Sequence, residues 1–281
     1  MEAIATFSAG MSKAEAREFI PFTHELIGTA FSVVRRFFLG ATPVITKADA
    51  TPVTQADRGA EEAMRALIEA RYPAHGVFGE EFGAKEAAPS LPRYRWVLDP
   101  VDGTRAFISN CFLFGTLIAL ERDDGSGYRP LLGAIAHPAA GLALIGHAAE
   151  CRLYSSDCSE RLVRVRACAR LSDATVLATT HWSTGEQPGG SAIETLIRRA
   201  KLYRTWGDCF GYFAVATGGA DVMLDPALSY WDVAAVVPVI EGAGGRVTSW
   251  KGGNPLEQPS LIASCGALHA EVLRCLNHPA N

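Results

Sequence analysis

WVLDPVDGT, residues 96–104, runs three apolar residues straight into two carboxylates set three positions apart and then a Gly-Thr pair. It reads as a strand that ends in a metal and phosphate site. Trp96, Val97 and Leu98 suit a buried strand, Pro100 restricts φ, and Gly103 lets the chain turn with no side chain in the way. Asp99 and Asp102 can then face one cavity. Converging carboxylates repel each other and are costly to desolvate, so a divalent cation between them is the natural complement.

Further carboxylates could complete such a site. Glu80, in Gly79-Glu80-Glu81-Phe82-Gly83, follows an apolar stretch that can end a neighbouring strand, although a Glu-Glu pair there also reads as a solvated turn. Asp232 opens the very apolar run Trp231-Asp232-Val233-Ala234-Ala235, where it could equally be an acidic first-turn residue favoured by the helix dipole. Hard oxygen ligands suit Mg²⁺ or Mn²⁺ better than zinc. The seven histidines form no HxxxH or HExxH spacing, which speaks against zinc hydrolase chemistry. Cys111 and Cys209 lie near these segments in sequence and read as buried, inert thiols.

Composition narrows the class. At 281 residues, with 48% hydrophobic and 20% charged residues, the chain can bury a large core as one elaborate domain or two tightly joined halves. A net charge of −4 offers no basic field for nucleic acid, and the longest apolar run, residues 112–120, is too short to span a bilayer. Seven cysteines without a CxxC pair, and no basic-then-apolar leader, point to reduced thiols in a cytoplasmic protein.

Hydropathy patterning predicts mixed helix and strand. Ser12 and Glu15 form a capping box before a helix marked by Phe19, Phe22, Leu26, Ala30, Val33 and Phe37, which Pro21 should kink or restart. Thr54 and Asp57 cap a second helix, with Ala60, Ala63, Met64, Leu67 and Ile68 on one face, that Tyr72-Pro73 stops. Strands follow at 76–79, 94–98, 114–120, 131–136 and 142–146, and the turns between them favour antiparallel hairpins. Beyond about residue 150, strands at 175–179 and 220–224 alternate with helices at 191–200, 210–217 and 231–241. A soft boundary there separates an N-terminal α+β half, 1–150, from a C-terminal α/β half, 151–281. Residues 185–190 and 252–259 read as loops, and Lys47, in a further loop, could approach the expected metal site or equally be a solvated lysine.

Taken together, WVLDPVDGTRAF at 96–107, WDVAAVVPVIEGAGGRV at 231–247, GEEFG at 79–83 and PVTQAD at 52–57 resemble the inositol monophosphatase superfamily of metal-dependent phosphatases. The resemblance spans most of the chain. It implies an α+β fold, the α/β/α/β/α layered sandwich shared with fructose-1,6-bisphosphatases, and a homodimer. It implies that Glu80, Asp99 and the Val101 carbonyl hold one Mg²⁺ and that Asp99, Asp102 and Asp232 hold a second. A weaker third ion would sit by Glu80 and, through water, Asp57, and Mn²⁺ could substitute. The implied reaction is hydrolysis of a small phosphate monoester by direct in-line attack of a metal-activated water, without a phosphoenzyme. Asp57 and Thr104 would orient that water and share its proton, while the N–H groups of Gly103 and Thr104 cradle phosphate oxygens.

The Gly-Asp-Cys-Phe-Gly-Tyr run at 207–212, with the 52–65 and 79–83 segments, looks most like the histidinol-phosphate phosphatase branch, which serves histidine biosynthesis. Asp225 matches the acidic position that contacts the organic part of the substrate in this superfamily. Asp208 or Asp225 could pair with the ammonium or imidazole of such a substrate, or could simply cap helices. Inositol monophosphatase, or a broad sugar-phosphate phosphatase, is the rival reading. Bisphosphate substrates rank lower because no basic cluster awaits a second phosphate. An inactive metal-binding scaffold is a further alternative, against which the intact set of Asp57, Glu80, Asp99, Asp102, Thr104 and Asp232 stands.

Overall fold

Both N-terminal helices start where their capping signals lie. In a computed structural model describing residues 6–40, 44–46, 52–180, 190–258 and 260–277, α1 (Lys13–Val34) opens on a closed capping box. Ser12 Oγ accepts the Glu15 N–H at 3.2 Å, and Glu15 Oε2 accepts the Ser12 N–H at 2.8 Å. The helix runs through Pro21 without restarting and ends at Val34, leaving Phe37 in the turns beyond it. Burial of Phe19, Phe22, Leu26 and Ala30 outweighs the one helical hydrogen bond that Pro21 removes. α2 (Gln55–Arg71) begins at a second capping box, Thr54 with Asp57.

A short ribbon pairs β1 (Val44–Thr46) with β2 (Pro52–Thr54). The large sheet comprises β3 (Gly76–Gly79), β4 (Gly83–Lys85), β5 (Arg93–Asp102), β6 (Gly115–Asp123), β7 (Arg129–His137), β8 (Leu142–His147), β9 (Glu150–Ser155) and β10 (Glu160–Leu162). Its order is β10-β9-β8-β7-β6-β5-β3-β4. The hairpin reading holds from β5 to β10, but β3 lies parallel to β5, because β4 turns back at the sheet edge before the chain re-enters. The smaller sheet contains β11 (Thr175–Ala178), β12 (Leu202–Arg204), β13 (Val222–Asp225), β14 (Gly245–Thr248) and β15 (Leu261–Cys265), in the order β12-β11-β13-β15-β14. Among the described residues the remaining α-helices are α3 (Thr104–Ile108), α4 (Gly190–Arg199), α5 (Asp208–Ala216), α6 (Tyr230–Gly242) and α7 (Gly266–Asn277).

Strand alternation assigns the layers. On β5 and β6, Trp96, Leu98, Ile118 and Leu120 share a core with Phe22, Leu26, Met64 and Ile68 of α1 and α2. The intervening Val97, Leu117 and Ala119 share another with α5 and α6, which also takes Met223 and Ala263 of the smaller sheet. Val222, Leu224 and Ile262 point the other way, onto Ile193 and Leu196 of α4 and Leu268 and Val272 of α7. The result is the expected α/β/α/β/α sandwich. α6 is apolar on every side because it lies between two sheets, with Val233 to Ile240 buried throughout. Among the described residues no helix is long and apolar enough to cross a membrane.

Candidate active site

β5 does not stop at Leu98. It continues through Pro100 to Asp102, and β6 pairs Asp99 with Leu117 but Asp102 with Gly115, three steps against two. Residues three apart on a regular strand face opposite sides; the extra residue of this bulge resets the alternation and turns both carboxylates the same way. Pro100 costs little there, since a bulge leaves a residue outside the ladder. Its carbonyl accepts the Thr116 hydroxyl at 2.8 Å.

Asp232 arrives from the first turn of α6. Its Oδ2 accepts the Ser229 N–H at 2.8 Å, so the capping role coexists with a place in the cluster. One carboxylate oxygen from each of Asp99, Asp102 and Asp232 lies within 4.8 Å of the other two. Asp99 Oδ1 is held by the Val101 N–H at 3.0 Å, and Asp102 Oδ2 by the Cys209 N–H at the start of α5. Burial pushes all three carboxyls up, Asp232 to about 7. Neighbouring acids add to the rise: Glu80, Asp102 and Asp232 for Asp99, and Asp208 and Asp232 for Asp102.

The cluster opens into a cleft of about 200 Å³ that Glu80, Val101, Gly103, Thr104 and Trp231 also line. Asp57 does not line it but stands behind Thr104, buried, with its Oδ1 3.3 Å from Thr104 Oγ1 and its Oδ2 held by the Thr54 N–H and hydroxyl. Gly103 is the left-handed N-cap of α3, so the Gly-Thr pair does open a helix. Lys47 falls outside the described residues. Carboxylates crowded at this distance, Asp99 buried and Asp102 and Asp232 half-buried, form an oxygen-only donor set that fits Mg²⁺ or a similar hard cation.

A second cavity of about 530 Å³ adjoins the first and shares Asp102, Arg105, Asp208 and Asp232 with it. Asp225, the last residue of β13, lies on its wall, and among the described residues it caps no helix. Burial lifts its carboxyl to about 7, and Tyr212 donates its phenol to Oδ2 at 2.6 Å. Asp208 opens α5 in a left-handed conformation, φ 49°, with its N–H on Thr179 Oγ1 at 3.0 Å and its carboxylate lying over Gly103. Burial raises Asp208, and the nearby Arg105 opposes that rise. Sequence reasoning quoted Arg105 and Tyr212 within its motifs but gave neither a role of its own, and it did not single out Thr179. For Arg105 the signal was its position, directly after the Gly-Thr pair.

The family model described as the inositol monophosphatase family matches residues 15–278. The chain belongs to the inositol monophosphatase family. It is 41% identical to a histidinol-phosphatase of Chlorobaculum parvum over 242 residues, 84% of this chain and 87% of that protein. A histidinol-phosphatase of Streptomyces coelicolor is 35% identical over 83% of this chain and 87% of its own. Among solved structures, an inositol monophosphatase from Zymomonas mobilis superposes with a TM-score of 0.78 at 33% identity, covering 95% of this chain and 99% of that one. This inositol monophosphatase family member is therefore a metal-dependent phosphomonoesterase acting on small phosphorylated substrates.

Proposed function

We propose that this enzyme is a histidinol-phosphate phosphatase whose Mg²⁺ ions are held by Glu80, Asp99, the Val101 carbonyl, Asp102 and Asp232. The observation that carries the substrate is the acid-lined second cavity next to the metal cleft, with Asp208 at the junction and Asp225 on its wall. Histidinol phosphate brings an ammonium and an imidazole, and two acidic side chains beside the phosphate end suit a cationic body. The identity to two histidinol-phosphatases supports the same choice.

In this reading Glu80, Asp99 and the Val101 carbonyl would hold one ion, and Asp99, Asp102 and Asp232 the other. Bound there, Mg²⁺ supplies Lewis acidity and offsets the charge of the phosphate oxygens. Thr104 Oγ1 lies 3.1 Å from the Val101 carbonyl oxygen and 3.3 Å from Asp57 Oδ1. With that carbonyl given to Mg²⁺, the hydroxyl would turn its hydrogen to Asp57 and take a hydrogen bond from the attacking water, which gives the water's proton a carboxylate to reach. Burial keeps Asp57 above the ordinary carboxylate range, so it accepts that proton more readily. The N–H groups of Gly103 and Thr104 orient the phosphate. Asp208 and Asp225 hold the leaving alcohol by its cationic end.

The second reading, an inositol or broad sugar-phosphate phosphatase, draws support from the likeness to the Zymomonas enzyme. Measuring kcat/KM on histidinol phosphate, inositol monophosphate and a nucleotide bisphosphate separates the two. We expect histidinol phosphate to lead by at least about 100-fold, because a paired cation in a desolvated pocket is worth several kcal/mol; a flat profile would sink the assignment. The same reading takes the protein as a homodimer, and a monomeric mass in light scattering would oppose it.

A further inference from the structure

Glu61 is fully buried on α2, one helical turn beyond Asp57, and nothing in the chemistry above uses it. A buried carboxylate is costly unless its oxygens are satisfied, and here the partners all belong to one place. Oε2 accepts the Glu81 N–H at 2.7 Å, and Oε1 accepts the Phe82 N–H at 3.2 Å. Oε1 also takes a 2.7 Å hydrogen bond from Arg65 Nε, one turn further along α2, and Arg65 Nη2 reaches on to the Gly83 carbonyl. Gly79 packs against the same carboxylate so closely that a Cβ there would stand 2.0 Å from Oε1. The guanidinium groups of Arg58 and Arg65 lie 5.2 and 6.0 Å from the centre of the Phe82 ring. Residues 81, 82 and 83 are thus fastened to one face of α2, and Gly79 packs against it. The residue they enclose is Glu80, whose N–H bonds the Leu98 carbonyl at 3.1 Å and whose side chain lines the cleft.

We propose that Glu61 is a positioning residue for Mg²⁺ binding: its carboxylate, braced by Arg65, sets the 79–83 turn so that Glu80 faces Asp99. This rests on the reading of Glu80 as a metal ligand. Three donors converge on the two oxygens of Glu61, a task for a carboxylate. The isosteric amide has a single acceptor oxygen and would point an NH₂ at a backbone N–H or at Arg65. α2 then acts as a ruler, with Asp57 held against Thr104 and Glu61, four residues on, held against the turn of Glu80.

The test uses Glu61→Gln, Arg65→Lys and Glu80→Gln, with the exposed Glu62→Gln as control. Mg²⁺ affinity of the chelator-stripped protein is measured by calorimetry, the Mg²⁺ half-saturation of phosphate release by titration, and Tm without metal by circular dichroism. For Glu61→Gln we expect Mg²⁺ binding weakened about 10- to 100-fold, the usual cost of losing a group that orients a ligand. Much of the kcat should return at saturating Mg²⁺, and Glu62→Gln should match the parent. A lower Tm with unchanged Mg²⁺ affinity would overturn the proposal and leave Glu61 a structural residue. Should Glu61→Gln fail to fold, Arg65→Lys decides: it keeps the charge but loses the fork joining Glu61 to Gly83, so unaltered Mg²⁺ affinity there also overturns the proposal. Glu80→Gln tells the two failures apart. If it binds Mg²⁺ normally, the ligand assignment falls and the positioning role with it; if it alone loses affinity, only the positioning role falls.

Discussion

Asp102 carries opposing demands on stability and activity. Its carboxyl is raised by burial and by Asp208 and Asp232, so the ionised form is poorly tolerated until a cation arrives. Asp102→Asn keeps the shape and an acceptor for the Cys209 N–H while removing the charge. Mg²⁺-dependent phosphate release is expected to fall at least about 100-fold, by the scale of metal-site losses. The metal-free Tm should hold or rise by about 2 °C, the response to roughly 1 kcal/mol in a chain of this size. Phosphate assays and circular dichroism melts check both, and an active variant would contradict the ligand role. At this scale the cluster was legible because Asp99, Asp102 and Asp232 each adjoin an apolar run that marks the end of a buried element. Glu61 was not, because it sits among Ala60, Met64 and Ile68 at helical spacing and is outnumbered by them. The signal was there in the stripe Asp57, Glu61, Arg65, three charged residues four apart on one helix.

Elements place these residues through close contact of backbones. α6 carries Asp232 and lies so near the large sheet that a Cβ on Gly133 of β7 would stand 2.0 Å from the Ala235 carbonyl oxygen. Gly133→Ala must lift the helix or bend the strand, and we expect a loss of about 3 kcal/mol in urea unfolding, at the upper end for overpacking. Because Ala235 is less than one turn from Asp232, the Mg²⁺ half-saturation should rise as well; a stability loss without that rise would separate helix seating from the metal site. The helices and hairpins could be read because periodicity and turn residues are local signals. The continuation of β5 beyond Leu98 could not. Pro100 reads as a strand breaker, and the bulge that admits it depends on β6 supplying Leu117 and Gly115 in a shifted register. The parallel pairing of β3 with β5 was hidden for the same reason, since it joins segments that β4 separates in sequence.

Across the whole molecule, the layers bury histidines as well as acids, and that sets the response to low pH. His269 of α7 is fully buried, with Thr248 Oγ1 2.9 Å from Nε2 and Ser264 Oγ 2.8 Å from Nδ1, so it ties the outermost helix layer to β14 and β15. Burial lowers its pKa from 6.5 to about 4. His75 is likewise lowered to about 4, stacked on Tyr72 and Tyr94 under α1, the outer layer at the opposite end. A depressed histidine pKa means that the unfolded chain binds the proton first. Stability is therefore present above the unfolded pKa and is lost as pH falls from about 6.5 towards 4. Between pH 7 and pH 5 the fully buried His269 should remove about 2 kcal/mol, a figure that follows from the shift and the linkage relation, and the half-buried, better-solvated His75 less. The raised carboxyls of the site act in the opposite sense, so total stability mixes the two and a single variant is the cleaner probe. His269→Gln removes one titration and leaves the site untouched. In urea unfolding with Mg²⁺ present, it should be the less stable protein at pH 7, having lost a ring that bonds two hydroxyls. That deficit should shrink by about 2 kcal/mol at pH 5. A deficit that stays constant between the two pH values would show that His269 takes up its proton in the folded state as easily as in the unfolded chain.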